Sequence, residues 1–328
     1  MTADLPSDWT LPPAAFGPGL PREASWDPWV RTLPRLAADL IDEWELRPDS
    51  WRTGATARAS SAADVPVRHG ECAVVLPVRT PDGTPAALKL GWPHPESEHE
   101  HLALRRWAGA GAVALLRADP HRGALLLERA GPAPLTSAPD LESCAVVAGL
   151  YRDLHVPALP QLTRLSGCAA DWAARLLALP RDAPVPRRLV EQAAALARDL
   201  STDPATDGTL VHTDLHDENV LESARGWLAI DPKPLSGDPA YEPAPLLWNR
   251  WAEVVASGDV RRHVLRRTDV LLDVAGLDPH RVRDWVVVRE LVNVLWCLEA
   301  IHARGERPDE GARAWITRAV TIAKAVQS

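Results

Sequence analysis

The stretch LVHTDLHDENVL at residues 210–221 decides the fold class, and the run IDPK follows it at residues 230–233. Asp214 and Asn219 lie in the first stretch between apolar residues, and Asp231 comes directly after the apolar run WLAI. Polar residues bounded by apolar runs indicate loops that buried elements hold in place. We therefore expect the fold to position these three side chains for a common task.

Phosphoryl transfer is the chemistry that this set of residues fits. A site that moves phosphate from ATP has to align the acceptor hydroxyl and neutralise the phosphates with a metal ion. The order HxDxxxxN, followed by an aspartate that ends a strand, is the order of those parts in protein kinases. We predict that Asp214 orients and deprotonates the acceptor hydroxyl. Asn219 and Asp231 would hold Mg²⁺ through oxygen, which this ion prefers, and His212 would brace the loop. Taken alone, Asp214 or Asn219 is equally compatible with an ordinary turn or helix cap.

Upstream of this stretch, residues 65–129 predict an antiparallel sheet with one embedded helix. Residues 72–79 and 85–91 have the pattern of two strands around TPDGT, whose Asp82-Gly83 pair is typical of a tight hairpin turn. ESEHEHLALRRWAGAG then predicts a helix with a glycine-rich end, and AVALLRADPHRGALLLERAGP predicts two more strands around a second turn.

Lys89, in PAALKL, lies within a strand whose other residues are apolar. An ammonium group is costly to bury without a partner. Lys89 is therefore either an edge-strand residue that faces water or a nucleotide-binding lysine paired with a helix glutamate. We favour the second interpretation, in which Lys89 contacts the α- and β-phosphates of ATP. Glu100 is favoured as its partner over Glu96 and Glu98, because Glu100 shares the apolar face of the predicted helix.

Backbone groups supply two further candidate contacts to a nucleotide. ALLLERAGP ends a strand in a short polar link, as an interlobe hinge does, so backbone groups from Glu128 to Ala130 are candidates for bonding adenine. An ordinary strand end explains those residues equally well. Residues 66–76 contain Gly70 but no GxGxxG, so N–H groups around Gly70 would have to cover the phosphates. This departure argues against a eukaryotic-type protein kinase.

Most of the remaining chain has helical periodicity. Helices are predicted over residues 26–46 and then over 139–155, 169–179, 186–200, 243–257, 260–275, 280–304 and 310–326. We therefore predict an α+β class, with a bilobal protein-kinase-like fold. Residues 1–129 would form a small β-rich N-terminal lobe that binds the nucleotide. Residues 130–328 would form a larger helical lobe with the catalytic loop and the acceptor site.

Composition narrows the class of partner. The 328-residue chain has a formal charge of −8, which argues against a nucleic-acid surface, and it has no apolar run long enough for a membrane span. Its four cysteines form no CxxC pair and no HExxH occurs, which argues against a zinc site or a disulfide framework. The N-terminus lacks the pattern of a secretion signal. We expect a cytoplasmic monomer that acts on a small molecule.

The motifs resemble those of the aminoglycoside phosphotransferases, most closely the branch of streptomycin 6-phosphotransferases and hydroxyurea phosphotransferases. LVHTDLHDENVL, WLAIDPKPLSGDPAYEPAPLL, VVLPVRTPDGTPAALKL and VRELVNVLWCLEAI carry this resemblance, which extends from about Trp26 to near the end. It implies a kinase-like fold, ATP, Mg²⁺ and transfer of the γ-phosphate to a hydroxyl of a small molecule. It places the family's catalytic aspartate at Asp214 and its ATP-binding lysine at Lys89. The family's metal ligands fall at Asn219 and Asp231.

Two segments depart from the pattern of that family. Tyr241-Glu242-Pro243 stands where relatives have an aromatic residue and an aspartate after GDP, and we expect this change to alter the wall beside the acceptor. The segment 52–64 looks longer than in relatives and abuts the predicted nucleotide loop, so it bears on ATP binding.

The acceptor is the part of the reaction that the sequence constrains least. Streptomycin-type acceptors carry guanidinium groups, which carboxylates bind. From residue 236 to the end there are 13 Asp plus Glu and 13 Lys plus Arg, so bulk charge gives no support to a cationic acceptor. On the predicted helix 280–304, one stripe at helical spacing could bind an aminocyclitol, although packing in the core is the more common role for its Trp residues. The stripe consists of Trp285, Arg289, Asn293, Trp296 and Glu299. The candidate acceptor contacts are Asp217, Glu218, Asp238, Glu242, Asn293, Trp296 and Glu299.

Three functions remain open at this stage. The favoured one is a kinase that inactivates streptomycin or a related aminoglycoside antibiotic. A second is a kinase of hydroxyurea or another metabolite. A third, of another class, is a nucleotide-binding pseudokinase that acts as an interaction module, which the complete set of predicted catalytic and nucleotide-binding residues argues against.

Overall fold

A computed structural model of the chain describes residues 25–49, 68–69 and 72–327. The chain divides into two compact units. The first holds the described residues up to Gly109 together with Val113–Arg129, and the second holds Ala110–Ala112 together with the chain from Ala130 onward. The segment 52–64 lies outside the described residues.

In its described residues, the first unit is an antiparallel sheet with two α-helices. Its elements are α1 (Trp26–Glu43), β1 (Arg47–Pro48), β2 (Arg68–His69), β3 (Ala73–Arg79), β4 (Pro85–Gly91), α2 (Glu100–Trp107), β5 (Leu115–Asp119) and β6 (Ala124–Glu128). The strand order is β1-β3-β4-β6-β5, and β2 also pairs with β3. The apolar residues of α1 recur at helical spacing and pack with the buried residues of β3 and β4 in one core.

The hairpin of β3 and β4 forms as the sequence predicts. Gly83 has a φ of 89°, a conformation that glycine adopts without steric cost. The Asp82 carboxylate accepts hydrogen bonds from the N–H and the hydroxyl of Thr84 and from the hydroxyl of Thr80. These bonds close the turn and fix the register in which Lys89 lies opposite Val75.

The second unit is mainly helical. Its helices are α3 (Asp140–Leu154), α4 (Leu165–Ala178), α5 (Arg187–Thr202), α6 (Ala244–Trp248), α7 (Trp251–Ala256), α8 (Val260–Ala275), α9 (Pro279–Ala303) and α10 (Glu310–Ala325). Between α5 and α6 lie the strands β7 (Thr209–Val211), β8 (Val220–Ser223), β9 (Gly226–Ala229) and β10 (Leu235–Gly237). Two antiparallel pairs result, β7 with β10 and β8 with β9. Among the described helices, none has both the length and the hydrophobicity that crossing a membrane requires.

Two details of the second unit differ from the sequence prediction. The helix predicted over 243–257 is two helices, because Arg250 adopts a φ of 51° between α6 and α7. An L residue in this left-handed region breaks the helical hydrogen-bond pattern. The strand β10 was not predicted, because three residues are too few to show the alternation by which strands are recognised.

Candidate active site

The loop between β7 and β8 carries Asp214. Its carboxylate forms an ion pair with the ammonium group of Lys233. The amide nitrogen of Asn219 donates to the backbone carbonyl of Asp214 at 2.9 Å and lies 3.4 Å from its Oδ2. His216 Nε2 lies 3.8 Å from the other carboxylate oxygen, Oδ1. The structure therefore brings Asp214 and Asn219 together, with Lys233 as a cation that the sequence analysis did not include.

The surroundings of Asp214 favour its ionised form. Burial by itself raises the pKa of this carboxyl group, but the neighbouring Lys233 ammonium and His216 outweigh burial and hold the pKa below its usual value. The side chain keeps 16% of its surface exposed. An ionised, partly exposed carboxylate can accept a proton from an alcohol.

The pairing of β8 with β9 places Asn219 and Asp231 at the same end of one hairpin. Val220 pairs with Ala229, and the N–H of Ile230 donates to the carbonyl of Asn219 at 2.9 Å. Asp231 follows immediately and has a φ of 57°, an uncommon conformation for a residue other than glycine.

Asn219 and Asp231 offer the kind of donor atoms that Mg²⁺ prefers. The Asn219 amide nitrogen is directed toward Asp214, so its carbonyl oxygen is turned away from that carboxylate. Together with the Asp231 carboxylate this makes two oxygen ligands. Within the described residues, no group of three or more His, Cys, Asp or Glu side chains forms a metal site by itself. The two residues fit Mg²⁺ that is bound jointly with nucleotide phosphates, which is the usual form of a magnesium site in kinases.

His212 is built into the scaffold of this loop. Its Nε2 lies 3.0 Å from the carbonyl of Ile230, and its Nδ1 accepts the N–H of Asp214 at 3.3 Å. Burial lowers the pKa of His212 to about 4, so the ring is neutral near pH 7. Both ring nitrogens are engaged, which supports a bracing role for His212.

In the first unit, Lys89 and Glu100 form a buried ion pair. The Lys89 ammonium lies 2.7 Å from each carboxylate oxygen of Glu100, and the two residues are 7% and 4% exposed. Lys89 is central in β4, and Glu100 is the first residue of α2, where the helix dipole favours a negative charge. The negative charge of Glu100 offsets the free-energy cost of burying the Lys89 ammonium group.

Comparisons with known proteins identify the family. Residues 58–300 match the family described as aminoglycoside/hydroxyurea antibiotic resistance kinase. The chain belongs to this family. It is 38% identical over 306 residues to the streptomycin 6-kinase of Streptomyces glaucescens, with 91% of each chain covered. It is 39% identical over 282 residues to the hydroxyurea phosphotransferase of Kitasatospora aureofaciens, with 83% of this chain and 75% of that protein covered.

A solved structure confirms the fold class of this antibiotic resistance kinase. A thermostable mutant of the aminoglycoside phosphotransferase APH(4)-Ia, in a ternary complex with ADP and hygromycin B, superposes with a TM-score of 0.54 at 15% identity. The match covers 88% of this chain and 97% of that one. The kinase-like fold predicted from sequence is therefore confirmed, and the relatives named above confirm the small-molecule kinase class. The cytoplasmic location, the monomeric state and the lack of a nucleic-acid partner stay predictions.

Glu242 of this kinase contacts the backbone of the loop that carries Asp214. We expected it at the acceptor wall, but it is fully buried, and its Oε1 accepts the backbone N–H groups of His212 and Thr213. Burial raises the pKa of Glu242 to about 7, although these two hydrogen bonds oppose the rise. Glu242 thus anchors the backbone that leads into Asp214.

Asp217 and Asp238, two further candidate acceptor contacts, are buried and interact with other parts of the second unit. Asp217 has no exposed surface, and its carboxylate lies 3.9 Å from the guanidinium of Arg267. Asp238 accepts the indole N–H of Trp285 at 2.6 Å and pairs with Arg281 at 2.5 Å. A contact of either carboxylate with the acceptor stays a prediction.

Of the three candidate acceptor contacts on α9, two interact with other side chains of the protein and one is half-buried. Glu299 accepts two hydrogen bonds from Arg175 on α4, one of them at 3.1 Å, so its charge is already paired. Asn293 is buried and interacts with the carboxyl group of Glu290. Trp296 is half-buried and stays a candidate acceptor contact.

The remaining candidates stay predictions. Glu218 is exposed, and within the described residues its carboxylate has no hydrogen bond or ion pair. The N–H of Glu128 donates to the carbonyl of Ala114 at 2.8 Å, so this N–H is not available to adenine, whereas Ala130 is half-buried. Gly70 lies outside the described residues.

Lys233 and Thr213 are the site residues that sequence reasoning missed. The N–H of Lys233 donates to the carbonyl of His212 at 3.0 Å, and the Thr213 hydroxyl donates to the carbonyl of Lys233 at 2.6 Å. These bonds tie the IDPK run to the loop of Asp214. The position of Lys233, two residues after the predicted metal ligand Asp231, was a signal in the sequence. Its partner Asp214 lies 19 residues away, however, so the ion pair could not be predicted without the tertiary structure.

Proposed function

We propose that this kinase transfers the γ-phosphate of ATP to a hydroxyl of streptomycin or a related aminoglycoside, with Asp214 as the base. The observation that carries the proposal is the ion pair between the Asp214 carboxylate and Lys233, with the Asn219 amide nitrogen 3.4 Å from the same carboxylate. Streptomycin 6-kinases that share 38–40% identity with the chain support this acceptor.

The proposed step conserves atoms and protons. The Asp214 carboxylate takes the proton of the acceptor hydroxyl, and the alcohol oxygen forms a bond to the γ-phosphorus. The bond between that phosphorus and the oxygen that links it to the β-phosphate breaks, and ADP leaves. There is little other covalent work in such a transfer, so positioning and charge neutralisation supply most of the rate.

The other residues act on the nucleotide. Asn219 and Asp231 would hold Mg²⁺, which neutralises charge on the phosphates when it is bound. Lys89 would contact the α- and β-phosphates, and Glu100 would keep the lysine extended in place. We propose nucleotide binding as the role of residues 1–129, and catalysis with acceptor binding as the role of residues 130–328.

Glu218 is the carboxylate best suited to contact a guanidinium group of the acceptor. It lies four residues after Asp214 and is exposed. Asp217, Asp238 and Glu299 are engaged by Arg267, Arg281 and Arg175. An exposed carboxylate can bind the guanidinium group of an acceptor without first breaking an ion pair with another side chain.

A screen of ADP release tests this function. The purified protein is given ATP and Mg²⁺ with streptomycin, hydroxyurea, other aminoglycosides or simple sugars, one acceptor at a time. The proposal predicts the highest kcat/KM with streptomycin or a related aminoglycoside. A preference for hydroxyurea would favour the second acceptor, in keeping with the 39% identity to a hydroxyurea phosphotransferase. A response no higher than without acceptor in every case would overturn the proposal.

A further inference from the structure

Arg289 on α9 is enclosed by aromatic rings. Its guanidinium carbon lies 4.7 Å from the ring centroid of Trp296 and 5.6 Å from those of Tyr241 and Trp248. Trp172 on α4 extends the enclosure, because its ring stacks on Tyr241 and meets Trp296 edge-on, each at 6.1 Å. We call these four rings the Arg289 enclosure. Such rings stabilise a cation electrostatically but accept no strong hydrogen bonds from it.

The hydrogen-bonding capacity of Arg289 is unused. The residue is 9% exposed, and within the described part of the chain its guanidinium makes no hydrogen bond or ion pair. Its Nε is buried without a partner. Burial raises the pKa of the adjacent Glu290 to about 8, although the charges of Arg318 and Arg289 oppose the rise. A buried donor without a partner calls for an explanation, and a ligand oxygen would supply one here.

The enclosure lies next to the anchor of the catalytic loop. Tyr241 directly precedes Glu242, whose carboxylate holds the backbone N–H groups of His212 and Thr213. Tyr241 forms a buried wall of the enclosure, whereas Trp248 and Trp296 are half-buried and face partly toward solvent. Tyr241 is thus the buried member of the enclosure, and Trp248 and Trp296 are its partly exposed members.

We propose that the Arg289 enclosure is an acceptor subsite that binds a sugar or cyclitol ring through its hydroxyl groups. The inference rests on the proposed function and specifies which part of the acceptor is recognised. Aromatic faces pack against the apolar C–H faces of such a ring, while the guanidinium donates to neighbouring hydroxyl oxygens. The positive charge of Arg289 repels a guanidinium, so the guanidinium groups of a streptomycin-type acceptor lie elsewhere.

Substitutions at Arg289 test the subsite. Arg289→Met removes the guanidinium N–H donors but keeps a long apolar side chain. Arg289→Lys keeps the positive charge but lacks the planar guanidinium that can donate two parallel hydrogen bonds. The matched control is Arg117→Met, which removes another arginine stacked on a tryptophan, 4.8 Å from the Trp44 ring centroid in the first unit. Trp296→Leu, at a half-buried wall, is a second variant in case both Arg289 variants unfold.

Calorimetry with streptomycin and steady-state kinetics give the readouts. We expect Arg289→Met to raise the Kd and the KM for streptomycin about 10-fold, the size expected for a lost hydrogen bond to a charged group. Arg289→Lys should have an intermediate effect, Trp296→Leu should also weaken binding, and the KM for ATP should not change. Arg117→Met should bind streptomycin as the wild type does.

Two results would overturn the subsite. One is wild-type streptomycin affinity in folded Arg289→Met or, if that protein does not fold, in folded Trp296→Leu. The other is a lack of streptomycin binding to the wild-type protein. Binding that depends on Arg289 without any phosphate transfer would overturn the proposed function and support the subsite.

Discussion

At the scale of single residues, charged neighbours keep the buried side chains around Asp214 in place. They also offset the effect of burial on the Asp214 carboxylate. Asp214 stays ionised because Lys233 contacts it, and the backbone before it is fixed because Glu242 accepts two N–H groups. A carboxylate taken out of water otherwise shifts toward its neutral form. The reactivity proposed for Asp214 therefore depends on two side chains that do not themselves exchange a proton with the acceptor.

Lys233→Met should lower kcat for phosphate transfer by at least about 10-fold, because Asp214 loses the cation that stabilises and orients its carboxylate. Methionine keeps the length of the side chain, so packing changes little. The control is Lys324→Met, at an exposed lysine on α10. Turnover that is the same in both variants would show that Lys233 is not needed for the reaction.

Glu242 predicts how stability depends on pH. Its pKa is about 7 in the folded chain and near 4.5 when exposed, so the folded state holds this proton more tightly. The stabilisation is present below pH 4.5 and is lost as the pH rises through 7, by on the order of 3 kcal/mol.

Urea unfolding of wild type and Glu242→Gln between pH 4.5 and 8 measures this effect. The free energy of unfolding of the wild type should fall more steeply with pH than that of the variant, because glutamine does not titrate. Glu290 contributes a slope of the same sign to both proteins, since burial also raises its pKa. Glu222→Gln, at an exposed position, should keep the wild-type slope. Equal slopes in wild type and Glu242→Gln would contradict the account.

At the scale of elements, the first unit depends on a link between β4 and α2. Lys89 and Glu100 are both buried, and the charge of each offsets the free-energy cost of burying the other. Removing one partner leaves an uncompensated buried charge, whereas replacing both with apolar residues is often neutral.

Glu100→Ala should lower the free energy of unfolding by about 3–5 kcal/mol, and the double variant Lys89→Met with Glu100→Leu should recover most of that loss. Both proteins should lose ATP affinity. Asp39→Ala removes an exposed ion pair with Arg35 on α1 and should cost less than about 1 kcal/mol. If Glu100→Ala is as mild as Asp39→Ala in urea unfolding, the buried pair is not the link proposed here.

Local patterns were enough to predict some elements and not others. The hairpin of β3 and β4 could be predicted because Asp82-Gly83 determines a turn by local chemistry. Glu100 could be selected because its helical face is readable from spacing alone. The break at Arg250 and the strand β10 could not be predicted, because each depends on neighbours distant in sequence.

The candidate site shows the same limit at the level of side chains. Asp214 and Asn219 come from one stretch, and the structure brings them together. Carboxylates such as Asp238 were candidate acceptor contacts on the sequence alone. Their burial and their arginine partners are properties of the folded chain, so the sequence did not show that they were engaged.

At the scale of the whole molecule, net charge is a poor guide to the acceptor. The chain carries a formal charge of −8, yet three of the carboxylates assigned to the acceptor lie close to arginines of the second unit. One carboxylate near the loop, Glu218, is exposed, while Arg289 has unused donors. Recognition of an aminoglycoside would therefore combine one carboxylate for a cation with an enclosure for ring hydroxyls.

The central claim is that the Asp214 carboxylate accepts the proton of the acceptor hydroxyl while ATP and Mg²⁺ are bound. The most direct measurement is transfer of labelled γ-phosphate from ATP to streptomycin by wild type, Asp214→Asn and the exposed control Asp182→Asn, with ATP affinity measured in parallel. The account predicts that Asp214→Asn lowers kcat by about 100-fold or more at nearly unchanged ATP affinity, and that Asp182→Asn has no effect. Phosphate transfer by Asp214→Asn at the wild-type rate would contradict it.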